Sequence, residues 1–479
     1  MRVLLVLPPV NLDGERCAFR HQPIVTAYLA GAAERGGAEV RIIDAAYEGI
    51  SPADLGALAA EFNPDVVGVV PYEYKRELPL STSDAVAQGI RARCPKALIG
   101  LLNGIEDEQR VALMERVVEG IVDFAILGDS ELAFEAIARD GLGEIVPPGV
   151  TVRTSDGTIV EGGSLPDTPL DDLAFPAWHL IDFMRYRPSP HRYRTLPVLP
   201  ILASRACPYP CDFCPQALFM TRQKHRVRSP ENILAEIMYL VETFGVREIE
   251  FYDPTFATRR KDTMALCEAL CEAGNPVTWS CNSRCDLLTD ELIQTMVRAG
   301  CRRVLLGIEN GDQALIDAAH KNMTLDEIRR AFKTLHKHGV ETIAGFMVGL
   351  PGETPGTVEG TIRFALELDP SYVAFFLAHG TPYTTTSPRW LDAGRFESSW
   401  EVNETGFSGP LYIPEAFESI DEMRALVRSA YRRFYGRPTY AVRQLGQIRS
   451  FEDIARLWRG VGEALRAAWM SSSSERVAN

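Results

Sequence analysis

The chain of 479 residues has no run of apolar residues approaching the eighteen or so that an α-helix needs to cross a bilayer, so no membrane partner is expected. It has no dense basic block either. Lys and Arg total 50 against 64 Asp and Glu, a formal net charge of −14, and a surface of that sign repels phosphate, which argues against a nucleic-acid partner. The opening MRVLLVLPPV leads straight into a strand-like pattern without a small-residue cleavage site, from which a cytoplasmic location is expected. No repeat at periods of about twenty to fifty residues is evident. The turn after the first strand, Pro8-Pro9-Val10-Asn11-Leu12-Asp13-Gly14, lacks GxGxxG, and with it the phosphate cradle of a dinucleotide-binding domain. Ten cysteines in a reducing compartment are not read as a disulfide framework; a tight group among them points to metal.

What is present is material for about three domains, with 46% hydrophobic and 24% charged residues, the balance of a globular chain. Over 1–142, strand-like runs (Arg2 to Leu7, Glu39 to Ile43, Asp65 to Val70, Ala97 to Leu102, Val122 to Leu127) alternate with amphipathic helical stretches. This predicts an α/β, doubly wound, Rossmann-like domain. Residues 143–195 are rich in proline and read as a linker. Over 196–384, six strand-then-helix units with strands near Val198, Glu248, Val277, Arg303, Thr342 and Tyr372 predict a partial (β/α)6 barrel of TIM type. Residues 385–470 read as a mainly helical region and 471–479 as a disordered tail. In the helical region Arg424, Arg428 and Arg432 recur every four residues, as on a solvated face, and Tyr431, Phe434 and Tyr435 are placed at the barrel mouth.

The strongest chemical signal is Cys207-Pro-Tyr-Pro-Cys211-Asp-Phe-Cys214, a CxxxCxxC loop directly after the first barrel strand. Three thiolates in one short loop can hold a 4Fe-4S cluster and leave one iron open to another ligand. Zinc is the competing metal; a structural zinc site usually takes four ligands in two pairs, and no second pair lies at finger spacing, although His225 is a conceivable fourth. Barrel enzymes place their chemistry at the carboxyl ends of the strands, and those ends read Tyr252-Asp253-Pro254-Thr255, Cys281-Asn282-Ser283-Arg284, Gly307-Ile308-Glu309-Asn310-Gly311 and Gly349-Leu350-Pro351-Gly352-Glu353-Thr354. Arg284 can fork a carboxylate and Glu309 can accept from hydroxyls. His379, after the sixth strand, is a candidate for proton transfer or substrate contact. Cys267 and Cys271 stand one helical turn apart and, with Cys281, Cys285 and Cys301, are read as packing residues.

The cysteine motif with Phe213 at its aromatic position resembles the signature of radical S-adenosylmethionine (SAM) enzymes. That resemblance implies that the open iron chelates SAM, that one-electron reduction cleaves it to a 5′-deoxyadenosyl radical, and that this radical abstracts hydrogen from a small-molecule substrate. It also implies SAM contacts for Phe213, Asp253, Asn282, Arg284, Glu309 and Gly349, and a one-electron donor such as flavodoxin or ferredoxin. GGE, common in the family after strand two, is replaced here by the Asp253 segment. A Rossmann-like domain ahead of such a barrel resembles the cobalamin-dependent branch, through Pro64-Asp65-Val66-Val67-Gly68, Val122-Asp123-Phe124, Gly128-Asp129-Ser130-Glu131 and Arg432-Arg433-Phe434-Tyr435. The branch implies cobalamin, bound without DxHxxG, which this chain lacks, and lined by loops near Pro71 to Tyr74 and Asn103 to Gly104. The activity so implied is C-methylation; alternatives are a radical SAM cyclisation or oxidation without methyl transfer, and an iron-sulfur electron carrier or sensor.

Overall fold

The computed structural model describes residues 1–9, 11–12, 21–73, 76–77, 80–104, 107–143, 145–165, 167–186, 188–214, 224–380, 384–385, 387–402, 408–446, 448, 453–454, 456–460 and 462. Cys17, Tyr74, residues 463–470 of the expected helical region and the tail 471–479 lie outside them. The chain divides into two compact units, the first Met1–Arg187 and the second from Pro188 onward.

In the first unit seven strands make one sheet: β1 (Arg2–Leu7), β2 (Glu39–Asp44), β3 (Val66–Val69), β4 (Leu98–Gly104), β5 (Phe124–Leu127), β6 (Val150–Arg153) and β7 (Ile159–Glu161), in the order β2-β1-β3-β4-β5-β6-β7. The first five run parallel. Alternation along β1 sends Leu4 and Val6 to one face, where Leu55, Ala59, Val86 and Ile90 meet them, and Val3 and Leu5 to the other, against Leu29, Ala33, Phe134 and Ile137. Both faces are thus covered, as a parallel sheet requires. Helix Pro52–Phe62 starts where Ser51 accepts the Asp54 N–H with proline in the first turn, and ends at Asn63 in the left-handed region.

Two strands depart from the sequence reading. Residues 150–153 and 159–161 fall in the segment expected to be a linker, yet β6 and β7 pair antiparallel onto the edge of the sheet. Prolines at 147 and 148 flank the hairpin without interrupting it, so proline density marked its boundary and hid its content.

In the second unit six strands lie side by side in chain order, all parallel: β8 (Val198–Ile201), β9 (Glu248–Phe251), β10 (Thr278–Ser283), β11 (Cys301–Glu309), β12 (Glu341–Val348) and β13 (Tyr372–Leu377). A helix follows each of the first five. Local signals set these helices: Ser229 accepts from Asn232 N ahead of Pro230–Phe244, Gly245 closes it at φ +64°, and Thr324 with Glu327 forms a capping box on Leu325–Lys337.

At the amino ends of the strands the barrel is plugged by charge. Arg303 is 2% exposed; its Nη2 donates to Glu341 at 2.6 Å and its Nη1 lies 4.0 Å from Glu248. Arg192 pairs with Glu250 at 2.5 Å, and Arg194 with Glu341 at 2.8 Å.

The exposed edge of the last strand is closed by helix Ile420–Tyr435. Val373 N and Phe375 N each donate at 3.1 Å to the hydroxyls of Tyr435 and Tyr431, and Tyr435 returns a hydrogen bond to Val373 O at 2.8 Å. These tyrosines were expected at the barrel mouth; instead they satisfy the open row of edge-strand amides. Between barrel and helix, a region expected to be helical, strands β14 (Gly394–Val402) and β15 (Ser408–Pro414) form an antiparallel hairpin. Among the described residues no helix is long and apolar enough to cross a membrane.

Candidate active site at the carboxyl ends of the barrel strands

The cysteine loop leaves β8 through Ser204 and Arg205, which pair with Val227 and Arg226, and turns at Ala206, a non-glycine residue at φ +61°. A left-handed alanine costs free energy and persists where the surroundings fix it. The loop is pinned by Asp212 N donating to Ala319 O at 3.3 Å and by a turn from Cys214 N to Cys211 O at 3.1 Å. Cys207 and Cys211 are buried and Cys214 half-buried. The three sulfurs stand on one loop but do not converge into a ready trio of ligands; two of them are turned toward partners supplied by other strand ends.

Cys207 Sγ lies 3.3 Å from Thr255 Oγ1, beyond β9. Cys211 Sγ receives Nη1 of Arg284, beyond β10, at 3.9 Å. Arg284, expected to fork a carboxylate, forks that of Asp286, and its donors are engaged inside the protein. Nε and Nη2 meet Asp286 at 3.0 and 3.2 Å, Nη2 reaches the carbonyls of Lys321 and Asn322 at 2.6 and 3.3 Å, and the guanidinium stacks 3.9 Å from the Tyr209 ring centroid. One arginine therefore ties the cysteine loop, strand β10 and the chain beyond β11 together.

Strand β11 delivers Glu309 by an irregularity. Its register against β12 shifts between Gly307 and Glu309, and Glu309 sits at φ +69°; such a bulge re-aims a side chain. The Glu309 carboxylate accepts from Lys321 Nζ at 2.7 Å. Lys321 is 5% exposed, and its ammonium lies 5.6 Å from the Phe213 ring centroid. Burial works against that charge, but Glu309 and Cys211 outweigh it and hold the ammonium above its ordinary pKa. Gly307 makes the room, since a Cβ there would stand 2.5 Å from the Glu309 carboxylate and 3.1 Å from Lys321 Nζ. Burial raises the Cys211 thiol pKa, with Lys321 and then Arg284 acting in the opposite direction. Neither Lys321 nor Thr255 was singled out from sequence for a role here: a lone lysine in a helix-to-helix connection carries no periodic or motif signal.

Asp253 was expected to face the cofactor. Its carboxylate is buried and accepts from Ala203 N at 3.0 Å and Ser204 Oγ at 2.5 Å, while its backbone carbonyl accepts from Asn282 Nδ2 at 2.9 Å. Burial raises the Asp253 pKa to about 6 against those hydrogen bonds. Asp253 and Asn282 thus align the ends of β8, β9 and β10. Gly349 adopts φ +106°, and a Cβ there would stand 2.6 Å from the Met423 methyl. The loop it opens is held by Glu353, fully buried, which accepts from Gly349 N at 2.5 Å, Leu350 N at 3.2 Å and Asn310 Nδ2 at 2.5 Å. Burial pushes the Glu353 carboxyl up to about 7. His379 Nδ1 lies 2.9 Å from Leu377 O, so that nitrogen donates and Nε2 is left as the basic one.

Around Cys211 and Phe213, an apolar group of Ala319, Leu350, Ala378, Trp390 and Tyr412 closes in, and Asp212 is paired with Arg389. The hairpin thereby contributes to the cysteine loop's packing. Cys267, Cys281 and Cys301 are buried thiols that burial keeps protonated in the case of Cys267 and Cys281, and among the described residues no group of three or more His, Cys, Asp or Glu converges as a metal site would.

In the first unit the strand order 2-1-3-4-5 is that of flavodoxin-like folds, which bind ligands where the order reverses, beyond the carboxyl ends of β1 and β3. Pro8 and Pro9 follow β1, and Val70 and Pro71 follow β3. Proline shapes both edges. Tyr72–Glu73 follow shortly after β3, and Asn103–Gly104 form the carboxyl end of β4.

Residues 201–365 match the Radical SAM superfamily. That segment is a radical SAM domain. Over almost the whole chain, 27% of residues are identical to an uncharacterized methyltransferase, PH0819, of Pyrococcus horikoshii, with 96% of this chain and 98% of that one covered. An anaerobic magnesium-protoporphyrin IX monomethyl ester cyclase of Rubrivivax gelatinosus is 28% identical, covering 91% of this chain and 77% of the cyclase. Among solved structures, the radical SAM methyltransferase TsrM of Kitasatospora setae, with cobalamin and a [4Fe-4S] cluster bound, superposes with a TM-score of 0.67 over 98% of both chains at 16% identity, a likeness of fold.

Proposed function

We propose that this chain is a cobalamin-dependent radical SAM enzyme that methylates carbon in a small-molecule substrate. The observation that carries the reading is that the CxxxCxxC loop, leaving β8, meets Thr255 beyond β9, Arg284 beyond β10 and, beside Phe213, the Lys321 that pairs with Glu309 of β11, inside the segment that matches the radical SAM family. Cys207, Cys211 and Cys214 would hold a 4Fe-4S cluster. The donor set fits it: three thiols on one loop, two already hydrogen-bonded through sulfur, as ligating cysteines are in iron-sulfur sites. The switch point of the first unit, edged by prolines and without the GxGxxG phosphate cradle, suits a broad corrin better than a dinucleotide.

Bound to these residues, a cluster with SAM would supply radical chemistry, and cobalamin would supply methyl-transfer chemistry. The chain's own residues position and shield. Phe213 stands on the loop with Lys321 beside it, Asn282 and Asp253 set the strand ends, Glu309 offers an acceptor oxygen for hydroxyls, and the Gly349 turn lets backbone approach an adenine. Arg284 holds the loop from inside, and His379 Nε2 is a base on the same face. A one-electron donor of flavodoxin or ferredoxin type and a cytoplasmic setting complete the proposal.

The similarity to the cyclase of Rubrivivax gelatinosus favours a second reading, oxidative ring closure on the same scaffold. Protein produced with ample cobalamin and passed through gel filtration distinguishes them together with product analysis. Retained corrin absorbance and a methyl group traced to labelled SAM support methylation; absence of the corrin defeats the first reading.

A further inference from the structure

Lys321 is a buried cation in an unusual place. It stands between the cysteine loop and the end of β11, beside Phe213 and against Glu309, and the second buried cation of the region, Arg284, touches Cys211 and binds the carbonyl of Lys321 itself. Each cation has its own carboxylate, Asp286 for Arg284 and Glu309 for Lys321. The arrangement is built for Lys321: the bulge at Gly307 and Glu309, the left-handed Glu309 and the missing side chain at Gly307 all serve to seat one ammonium. A surface ion pair needs none of this. Charge held in low dielectric next to a redox group acts strongly on it.

We propose that Lys321 tunes the reduction potential of the cluster held by Cys207, Cys211 and Cys214, with Glu309 as the counter-charge that limits the effect. The inference rests on the reading of those cysteines as cluster ligands. A 4Fe-4S core of charge +2 on three thiolates carries one net negative charge, and accepting one electron from the external one-electron donor adds a second. A buried ammonium stabilises the reduced form more than the oxidised one and so favours reduction. Lys321 is a positioning and electrostatic residue, not one that touches substrate.

The test is an EPR-monitored redox titration of the reconstituted full chain without SAM, alongside iron and sulfide determination. Lys321→Met keeps the length and apolar contact of the side chain. At a potential that half-reduces the wild-type cluster, its reduced-to-oxidised ratio is expected to fall about tenfold or more, the scale of one buried unit charge, whereas Lys321→Arg stays near wild type. Glu309→Gln unmasks the ammonium and is expected to shift the ratio the other way, a sign reversal that mere loosening of the loop would not produce. Unchanged ratios in Lys321→Met with a full complement of iron, or a shift of the same sign in both variants, overturn the proposal. Should Lys321→Met fail to hold iron, the sign of the Glu309→Gln shift decides. A wild-type chain that binds no cluster would instead overturn the reading of the cysteines.

Discussion

At the amino ends of the barrel strands Arg303 lies between Glu341 and Glu248, with Arg192 and Arg194 completing pairs around it; at the carboxyl ends Lys321 and Arg284 point their charge toward cysteine sulfur and aromatic rings. The same residue types are buried at both ends. Below, cation answers carboxylate in the register of adjacent strands, Arg303 opposite Glu341, and the outcome is a closed plug. Above, each cation keeps one carboxylate and spends the remainder of its field on the cysteine loop. The contrast follows the division of labour in barrels, in which conservation of fold sits at one end and chemistry at the other.

Breaking the plug is expected to have the largest effect on stability. Arg303→Met leaves Glu341 and Glu248 buried without their shared partner, which should cost about 3–5 kcal/mol, read as a fall in chemical-denaturation midpoint. Iron bound per folded chain should not change. Cys211→Ala is the converse: iron is lost and the midpoint barely moves. If Arg303→Met also abolished iron binding in chains that remain folded, the separation of the two ends would fail.

The next effect concerns pH. Glu353, raised to about 7, keeps its proton in the folded chain over a range where an unfolded glutamate has lost it. Its contribution is fully present below the ordinary carboxylate range and is lost as pH rises toward 7, by an amount on the order of 3 kcal/mol at most. Denaturation midpoints of Glu353→Gln should therefore decline less than wild type between pH 5 and pH 8, a range chosen to bracket about that value.

At the same end, Gly349→Ala must hold φ +106° and displace the Met423 methyl. The cost is about 1–3 kcal/mol, and SAM affinity measured by equilibrium dialysis should weaken with it. An alanine variant of unaltered stability would show that the turn is not fixed as described.

The last effect belongs to the plug and is confined to acid pH. His191, packed beside Tyr372, has its pKa lowered to about 3 by burial, then by Arg192 and Arg303. A depressed histidine contributes stability above its unfolded pKa and loses it as pH falls, at no more than about 1.4 kcal/mol per pH unit. His191→Phe should flatten the acid limb of the stability profile, opposite in sense to Glu353→Gln.

Much of this was legible in the sequence because it depends on local pattern. The six barrel strands are short, largely apolar runs, the first five of them followed by helical patterns, and the cysteine loop is a motif within eight consecutive positions. The antiparallel pairs Val150–Arg153 with Ile159–Glu161 and Gly394–Val402 with Ser408–Pro414 were missed because strands among prolines and polar residues have no strong apolar period. The site's electrostatics were missed for a different reason. Asp286 lies two residues from Arg284 and claims its fork, and Lys321 reaches Glu309 from twelve residues away across a helix; neither partner can be read from a strand-end motif considered alone. The tyrosines of the C-terminal helix were assigned to the mouth from composition, whereas the unpaired amides of Val373 and Phe375 determine where they go.

The central claim is that the carboxyl end of this barrel is a radical SAM site. Anaerobic reconstitution with iron and sulfide, followed by SAM and a strong one-electron reductant, tests it most directly, with 5′-deoxyadenosine as the readout. 5′-Deoxyadenosine is expected from the wild-type chain and none from Cys214→Ala; an intact cluster that leaves SAM uncleaved under these conditions would contradict a radical SAM site.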